Sequence, residues 1–374
     1  MNMNELGWNE VLQSEYVSRL LNLQNHNNAK KLGKIFPGRI ASEQKNLYNV
    51  FTSDGEYRAI IADKLWFNAF DRQELPAVGD WVLLSLENGC EQLKIQEIME
   101  RKSTLSRQSI ASHGRKFDKS GTSEEQVVAT NIDTVIMVVA LDFDYNLRKI
   151  ERYLTLMWNS GADPVIILNK ADQCENPDEL KAEVEAISYG IPVHTMSAVT
   201  GQGVDELDQY ISSGKTITFI GSSGVGKSTI INHLIGEEVM EVGDVREADK
   251  RGRHTTTHRQ LIPLSSGGNV IDNPGMREIK IIGNVDNLNQ TFPDIVNLQK
   301  LCKFRNCQHE TEPGCAILQA IHDGDLTEKR YQSYLKLGRE LAYLERRKDQ
   351  RQLYNKNARS KQRVLKEKIK IHKR

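Results

Sequence analysis

The stretch "TITFIGSSGVGKST", residues 216–229, has the pattern of an apolar strand, a glycine-rich loop and the start of a helix. Gly221, Gly226, Lys227 and Ser228 satisfy the spacing GxxxxGK[ST]. Glycines allow successive backbone N–H groups to converge on phosphate oxygens, and a lysine adds positive charge at the β- and γ-phosphates. A serine hydroxyl is a hard oxygen ligand suited to Mg²⁺. With strand and helix both present, the stretch predicts a phosphate-binding loop rather than a glycine-rich turn without a ligand.

The predicted phosphate-binding residues are Gly221, Ser222, Ser223, Gly224, Val225, Gly226, Lys227, Ser228 and Thr229.

Alternating strand and helix patterns surround this loop. In chain order they are "DTVIMVVAL" (133–141), "NLRKIERYLTLMWNSG" (146–161), "PVIILNKAD" (164–172), "PDELKAEVEAISYG" (177–190), "PVHTMSA" (192–198) and "NVIDNPG" (269–275). This alternation predicts a parallel, doubly wound α/β sheet, in which ligands bind at the carboxyl ends of the strands.

A base-reading motif follows one of these strands. In "LNKAD" (168–172), the Asp172 carboxylate can accept two hydrogen bonds from guanine N1–H and the exocyclic amine, a donor pair that adenine lacks. Asn169 can bridge the base and the loop, and the Lys170 stem can cover the ring, with Ala171 between them. The motif is short and arises by chance in loops, so by itself it is weak evidence for a guanine site.

A second short motif, "TMSA" (195–198), also follows a strand. It places Ser197 and Ala198 where a backbone N–H could meet guanine O6. In ordinary GTP-binding proteins the phosphate loop precedes the base-reading loops, whereas here it follows them. Natural termini often lie close together, so joining them and opening a surface loop preserves the core. The order therefore predicts a circularly permuted guanine-nucleotide domain.

Two further segments supply metal and γ-phosphate contacts. Asp272 ends the strand in "NVIDNPG" and can hold Mg²⁺ through water, and the Gly275 N–H can approach the γ-phosphate. The polar stretch "GRHTTTH" (252–258) is long enough to be a mobile switch, and Thr256, with Thr255 next, is the expected Mg²⁺ ligand beside Ser228.

The stretch "CKFRNCQHETEPGC" (302–315) carries Cys302, Cys307, His309 and Cys315. Three thiolates and one imidazole make a closed tetrahedral zinc site without an open position for chemistry. The alternative is three unrelated thiols and a surface histidine. Cys90 and Cys174 lie outside the pattern and are interpreted as ordinary small residues.

The first third of the chain has a different character. Five patterns rich in β-branched, aromatic or alternating apolar residues lie between 32 and 107, and "SDGE" (53–56) is typical of a tight hairpin. They predict a small barrel of the oligonucleotide-binding type, with another small β-domain as the alternative.

The net charge of zero hides an asymmetry. Residues 345–374 carry 13 Lys and Arg against 3 Asp and Glu, and the remaining 344 residues carry 37 basic and 47 acidic side chains. A basic tail on an acidic body favours a polyanionic partner, although a solvated helical tail without a partner fits the composition as well. No signal peptide or membrane-spanning stretch is apparent, so the expected location is cytoplasmic.

The motif order from the base-reading loop through "GRHTTT", "DNPG" and the cysteine cluster resembles the circularly permuted GTPases of the RsgA type, which assemble the small ribosomal subunit. The resemblance implies an N-terminal oligonucleotide-binding barrel, a permuted GTPase domain and a C-terminal zinc domain. It also implies a monomer that hydrolyses GTP to GDP, binds one structural Zn²⁺ and uses Mg²⁺ with GTP. Its implied partners are the 30S subunit and 16S rRNA, and hydrolysis drives its release from them. "DNPG" replaces the commoner "DTPG".

The expected domains are an N-terminal extension (1–31), a barrel (32–107), a flexible loop (108–130), a permuted GTPase domain (131–285), a helical zinc domain (286–344) and a basic helical tail (345–374).

The catalytic group is less defined by sequence. Many GTPases have a water-orienting glutamine after the glycine of this motif, where this chain has Met276, whose thioether cannot orient water. His254 is the candidate substitute, and its alternative role is to support the loop or contact a partner. Lys227, His254, Thr256, Asp272 and Gly275 form the predicted catalytic set. The alternatives to a ribosome-directed GTPase are another phosphate-loop NTPase and an RNA-binding protein that uses GTP structurally.

Overall fold

The computed structural model describes residues 1–25, 33–44, 46–69, 71–86, 92–109, 124–142, 145–236, 259–273 and 283–372. The chain divides into two compact units, Met1–Lys280 and Ile281–Arg374. The division falls five residues before the boundary expected at 285, and the barrel shares the first unit with the α/β domain.

The first unit contains a closed five-stranded barrel. Its strands are β1 (Ile35–Gln44), β2 (Leu47–Thr52), β3 (Gly55–Ile61), β4 (Trp81–Leu86) and β5 (Leu93–Ile98). They pair in the order β1-β2-β3-β5-β4, and β4 closes the ring on β1. All pairs are antiparallel except β3 with β5. Gly55, with a φ of +130°, makes the turn of the β2–β3 hairpin that the Asp-Gly pair predicts. The barrel prediction is therefore confirmed, with a short helix, α2 (Asp63–Asn68), between β3 and β4.

The N-terminal segment, residues 1–8, contacts both the barrel and the α/β domain. It leads into α1 (Glu10–Asn25). The Trp8 ring packs edge-on against Trp81 of β4, with ring centroids 4.9 Å apart. The Glu5 carbonyl accepts a hydrogen bond from Asn269 Nδ2 at 2.8 Å. The segment therefore holds the two parts of the first unit together.

Arg39 of β1 is the buried centre of this junction, with 1% of its surface exposed. Its Nη1 donates to the Leu6 carbonyl, its Nη2 to Asn131 O at 3.0 Å, and its Nε to Gly79 O at 3.3 Å. Burial lowers the pKa of the Arg39 guanidinium to about 10. One arginine thus joins the N-terminal segment, the barrel and the start of the α/β domain.

A two-stranded antiparallel sheet follows the barrel, formed by β6 (Thr104–Ser109) and β7 (Glu124–Thr130). The prediction that 108–130 is a flexible loop is wrong for β7. Val128 and Ala129 are buried, because the apolar second half of this mostly polar stretch forms a strand that pairs with β6. Residues 110–123 lie outside the described residues.

The α/β sheet contains β8 (Thr134–Ala140), β9 (Asp163–Asn169), β10 (Val193–Thr195), β11 (Thr216–Ile220), β12 (Gln260–Pro263) and β13 (Asn269–Asp272). Its order is β10-β9-β8-β11-β13-β12. β11, which leads into the phosphate loop, is central, with the base-reading strands on one side. β12 was not predicted from sequence, and it pairs antiparallel with β13, so the sheet is parallel except at this edge.

The barrel covers that edge of the sheet. Ser42 of β1 pairs antiparallel with Gln260 of β12, which makes one continuous 11-stranded sheet. An exposed sheet edge offers unpaired backbone groups, and here the barrel occupies it.

The helices of this domain are α3 (Leu147–Ser160), α4 (Pro177–Glu185) and α5 (Lys227–Ile235). Asn146 caps α3 by accepting the N–H groups of Arg148 and Lys149, and Gly161 ends it in the left-handed conformation, as the sequence predicts. Ile136, Ile217 and other branched side chains of the parallel strands form the core between these layers.

The second unit is helical. Its helices are α6 (Val285–Thr291), α7 (Pro293–Lys300), α8 (Ala316–Asp323) and α9 (Glu328–His372). Phe292, Ile317 and Leu341 lie in its core. α9 continues without a break through the boundary predicted at 344, so the basic tail is the distal part of this helix. Among the described helices, none has the length and apolar character needed to cross a membrane.

Candidate functional site

The phosphate loop lies between the buried strand β11 and the N-terminus of α5. Gly221, Gly224 and Gly226 all have positive φ, of +139°, +79° and +99°. A Cβ on Gly221 would lie 2.3 Å from Val138 O, so only glycine lets the loop pass this close to β8. The loop ends at the helix N-terminus, whose free N–H groups and dipole favour an anion.

Lys227 begins α5 and turns back over the loop. Its Nζ donates to Gly221 O at 2.9 Å and to Ser222 O. Burial lowers the pKa of the Lys227 ammonium to about 8, and the Asp272 carboxylate opposes that change. The ammonium is therefore positioned inside the loop, where phosphate oxygens can replace the two carbonyls.

Asp272 ends β13, beside β11 in the sheet. Burial raises the pKa of its carboxyl, against the opposing charge of Lys227. The Asp272 carboxylate and the Lys227 ammonium thus interact at the carboxyl ends of two adjacent strands, and Ser228 follows Lys227 in the first turn of α5. Carboxylate and hydroxyl oxygens are the donors that Mg²⁺ prefers, so these residues fit that ion.

Asn273 follows Asp272 and is 3% exposed. Its Nδ2 donates to Thr218 Oγ1 at 2.7 Å, and that hydroxyl donates to Ile271 O at 2.8 Å. The asparagine of "DNPG" therefore ties the end of β13 to β11. The sequence did not reveal this contact, because it depends on a neighbouring strand.

Asn169 joins three sequence-distant loops. It is 2% exposed at the end of β9. Its Nδ2 donates to Val225 O in the phosphate loop at 2.7 Å, and its Oδ1 accepts the Ala198 N–H at 3.0 Å. The structure therefore brings the predicted base-reading, "TMSA" and phosphate motifs into one site.

Contacts with two neighbouring segments hold the rest of the base-reading loop. Lys170 has a left-handed φ of +65°, and its Nζ lies 2.9 Å from Asp142 Oδ2. The Ala171 N–H donates to Met196 O at 3.1 Å. Asp172 is exposed, so its carboxylate is available to a base. Sequence reasoning missed Asp142, although it follows the buried strand β8 at the ligand-binding edge of the sheet.

Ser197 and Ala198 are both buried. The Ser197 N–H donates to Gln202 O at 2.9 Å, and its hydroxyl accepts the Thr200 N–H at 3.2 Å. Because the Ala198 N–H donates to Asn169, a guanine O6 placed at Ala198 would share this donor. Both backbone N–H groups are therefore engaged within the protein, Ser197 with Gln202 and Ala198 with Asn169.

The four predicted metal ligands converge in the second unit. Ligand atoms of Cys302, Cys307, His309 and Cys315 all lie within 4.8 Å of one another. His309 Nδ1 is 3.5 Å from Cys302 Sγ and 3.3 Å from Cys315 Sγ, and these two sulfur atoms are 4.0 Å apart. A tetrahedral zinc with Zn–S bonds of about 2.3 Å places its sulfur ligands about 3.8 Å apart. The geometry and the donor set therefore fit zinc.

Glu312 organises the loop between these ligands. Its carboxylate accepts backbone N–H groups from Gln308 at 2.8 Å, Glu310 at 2.9 Å and Thr311 at 3.1 Å. These hydrogen bonds lower the pKa of the Glu312 carboxyl to about 2. Cys174 lies outside the cluster and is partly buried.

Several predicted site residues fall outside the described residues. They are His254, Thr255, Thr256, Gly275 and Met276, together with Cys90.

Comparison with known proteins gives a consistent result. The RsgA GTPase family model matches residues 98–282. The small ribosomal subunit biogenesis GTPase RsgA 2 of Lactiplantibacillus plantarum is 45% identical over 84% of this chain and 85% of its own length. The small ribosomal subunit biogenesis GTPase RsgA of Syntrophotalea carbinolica is 40% identical over 91% of this chain and 90% of its own length.

Two solved structures are similar as well. YjeQ from Thermotoga maritima superposes with a TM-score of 0.57 at 27% identity, covering 83% of this chain and 99% of that one. YloQ, described as a circularly permuted GTPase, superposes with a TM-score of 0.53 at 26% identity, covering 83% of this chain and 96% of that one.

Proposed function

The chain belongs to the RsgA family of small ribosomal subunit biogenesis GTPases, and we propose that it binds the small ribosomal subunit with GTP bound and leaves after hydrolysis. The single observation that carries the proposal is the Asn169 side chain, which ties the base-reading loop to the phosphate loop. A guanine and its phosphates can therefore be held by one rigid arrangement.

GTP specificity comes from the base-reading loop in this proposal. Asp172 accepts guanine N1–H and the exocyclic amine, Asn169 and Lys170 hold the ring, and the Ala198 N–H faces O6. Lys227 and the backbone N–H groups of residues 221–229 bind the phosphates. Adenine presents no donor pair to Asp172, so an ATPase is disfavoured.

Mg²⁺ would be held by Ser228 and Thr256, with Asp272 acting through water. When bound, it neutralises charge on the β- and γ-phosphates. The chain's own contribution is to position Lys227 on the same oxygens.

Hydrolysis requires an oriented water molecule, and Met276 cannot supply the hydrogen bond. We assign this role to His254 in the switch stretch "GRHTTTH", with the Gly275 N–H on the γ-phosphate. Phosphoryl transfer depends mainly on positioning and electrostatics, which a docked partner can complete. Turnover should therefore be slow in isolation and stimulated by the ribosome.

The second unit would bind one structural zinc per chain through its three cysteines and His309. We assign the binding of 16S rRNA to three surfaces, which are the barrel, the zinc-binding unit and the basic end of α9. We also propose that the protein acts as a monomer in the cytoplasm. The tail contributes by charge, since residues 345–374 carry 13 basic against 3 acidic side chains.

Measurement of GTP turnover with and without purified 30S subunits tests the proposal. We expect low basal turnover and strong stimulation, together with tighter 30S binding in a non-hydrolysable GTP analogue than in GDP. Equal 30S affinity in both nucleotide states would leave an RNA-binding protein that uses GTP structurally. Equal binding of ATP and GTP would instead leave another phosphate-loop NTPase.

A further inference from the structure

Asp142 lies just beyond the end of β8, between the two nucleotide loops in the sheet. β8 pairs with β9, which leads into the base-reading loop, and with β11, which leads into the phosphate loop. The Leu141 N–H donates to Asn169 O at 2.9 Å, and the Tyr145 N–H donates to Asp142 O at 3.0 Å. Hydrogen bonds on both sides therefore hold the backbone at Asp142 next to the base-reading loop.

Lys170 reaches this carboxylate from the base-reading loop. Its Nζ lies 2.9 Å from Asp142 Oδ2, and the two side chains are 21% and 16% exposed. The lysine backbone has a φ of +65°, which is uncommon for a residue with a Cβ and gives the side chain a defined starting direction. A partly buried ion pair at the ends of two adjacent strands thus determines that the lysine side chain runs from the end of β9 towards β8.

The position of the Lys170 side chain affects the cost of binding a base. A lysine side chain that rotates freely loses conformations when it packs over a ring, and this ordering costs binding free energy. An acceptor that holds the ammonium before the nucleotide binds removes much of that cost. Asp142 also has a further interaction within the protein, so the argument requires a fixed acceptor and not a free charge.

We propose that Asp142 is a positioning residue for the nucleotide: it holds the Lys170 ammonium so that the methylene stem of the lysine already lies where it covers the guanine ring. Asp142 lies outside the base-reading motif and acts only through Lys170. This inference rests on the proposed function, since it requires a guanine nucleotide between the base-reading and phosphate loops.

This role differs from that of the other carboxylate of the site. Asp172 is exposed, and the proposed function assigns it to the N1–H and the exocyclic amine at the edge of the base. The Lys170 stem would instead contact the face of the ring, which guanine and hypoxanthine share. Loss of Asp142 should therefore weaken binding of both bases equally, whereas the preference for the exocyclic amine should depend on Asp172.

The test measures the affinity of the full chain for GDP and for inosine diphosphate, by displacement of a ribose-labelled fluorescent GDP. Asp142→Asn should weaken both by the same factor, about three- to tenfold, which corresponds to the cost of ordering one long side chain on binding. The ratio of the two affinities should stay at the wild-type value. A role in shaping the loop as a whole would also displace Asp172 and would change that ratio.

Asp133→Asn is the matched control, because Asp133 lies at the opposite end of the same strand and the variant removes the same charge. The Asp133 side chain is 18% exposed, and its Oδ1 lies 2.8 Å from Lys102 Nζ and 3.1 Å from Lys215 Nζ. The control thus also removes a carboxylate that pairs with lysine. Its thermal unfolding temperature should fall, whereas its affinity for GDP should remain that of the wild type.

A double-mutant cycle tests whether Asp142 acts through Lys170. Lys170→Met keeps an apolar stem without an ammonium, so Asp142→Asn in that background should cause no further loss of GDP affinity. An equal loss in both backgrounds, or a GDP affinity of Asp142→Asn at or above the wild-type value, would overturn the inference and leave the proposed function intact. If the wild-type chain binds ADP as tightly as GDP, the proposed function itself is wrong.

Discussion

The side chain of Asn169 lies so close to Gly226 that a Cβ on Gly226 would be 2.1 Å from Asn169 Nδ2. Gly226 also has a φ of +99°, which side chains with a Cβ rarely adopt. The base-reading loop and the phosphate loop therefore pack together only because residue 226 is glycine.

Gly226→Ala should lower GTP affinity at least tenfold, because the methyl group must displace Asn169 from Val225 O. Fluorescent-nucleotide titration measures the effect. Gly236→Ala is the matched control: Gly236 ends the same helix with a φ of +79°, and its Cβ would meet nothing within 4 Å. It shares the backbone strain but not the steric conflict, so similar losses in both variants would contradict the packing argument.

The sequence predicted the barrel, the permuted order of the nucleotide motifs and the cysteine cluster, because each depends on local patterns. The five barrel strands alternate apolar residues over short runs, and the motifs have fixed spacings. β12 and β7 were missed because their short or polar sequences become strands only through pairing, β12 with β13 and at one position with β1, and β7 with β6. Asp142 and Asn273 were missed for the same reason, since their partners lie on neighbouring loops and strands.

Asp172→Asn should weaken GTP binding and favour xanthosine nucleotides, whose base carries a carbonyl in place of the guanine amine. The amide removes an acceptor for two donors and supplies a donor to that carbonyl. Asp178→Asn, an exposed aspartate in the first turn of α4, is the control and should retain the guanine preference. Comparative titration with GDP and xanthosine diphosphate measures the ratio. Unchanged GTP affinity in Asp172→Asn would show that another group binds the base.

The lowered pKa of Lys227, about 8 against an ordinary 10.5, makes nucleotide binding depend on pH. Burial disfavours the charged form, so the folded protein binds fewer protons than the unfolded chain between these values. This group therefore adds stability to the nucleotide-free protein as pH rises through that window. The charge that binds phosphate disappears over the same range, and GTP affinity should fall by about tenfold per pH unit above 8.

Lys227→Met has no ammonium group at this position. Comparison with this variant therefore separates the titration of Lys227 from pH effects on the guanine base of the nucleotide. The ratio of wild-type to Lys227→Met affinity, measured from pH 7 to 9.5, should decrease above pH 8. Parallel pH profiles for the two proteins would show that Lys227 does not titrate in this range.

Elemental analysis should find about one zinc per chain in the purified protein, since the four ligand atoms form a closed tetrahedral set. Cys307→Ser should lose the metal and unfold the loop between Cys302 and Cys315, because such a segment depends on its metal for shape. GTP binding should persist, because its loops belong to the other compact unit. Cys174→Ser is the control and should retain full zinc content. Zinc retention in Cys307→Ser would mean that the cluster is not the binding site.

Arg39 is expected to be the residue on which the barrel junction depends most. Its guanidinium group supplies donors to Leu6, Gly79 and Asn131, three carbonyls from different parts of the first unit. Arg39→Met preserves much of the packing volume but leaves the Leu6 and Asn131 carbonyls without this donor, whereas the Gly79 carbonyl keeps a hydrogen bond from Asn131 Nδ2 at 3.0 Å. Each group left unsatisfied costs about 1–3 kcal/mol, so the free energy of unfolding, from denaturant titration, should fall by about 2 kcal/mol or more.

Arg19→Met is the matched control for Arg39, because it removes a partly exposed arginine that bridges Glu15 and Glu97. A surface ion pair of that kind contributes at most about 1 kcal/mol. If the barrel holds its position on β12 mainly through the Ser42–Gln260 pairing, both variants would lose similarly little stability. A large loss confined to Arg39→Met would show instead that the N-terminal segment, through Leu6, fixes the barrel next to β12. In that case deletion of residues 1–8 should reproduce the Arg39→Met loss.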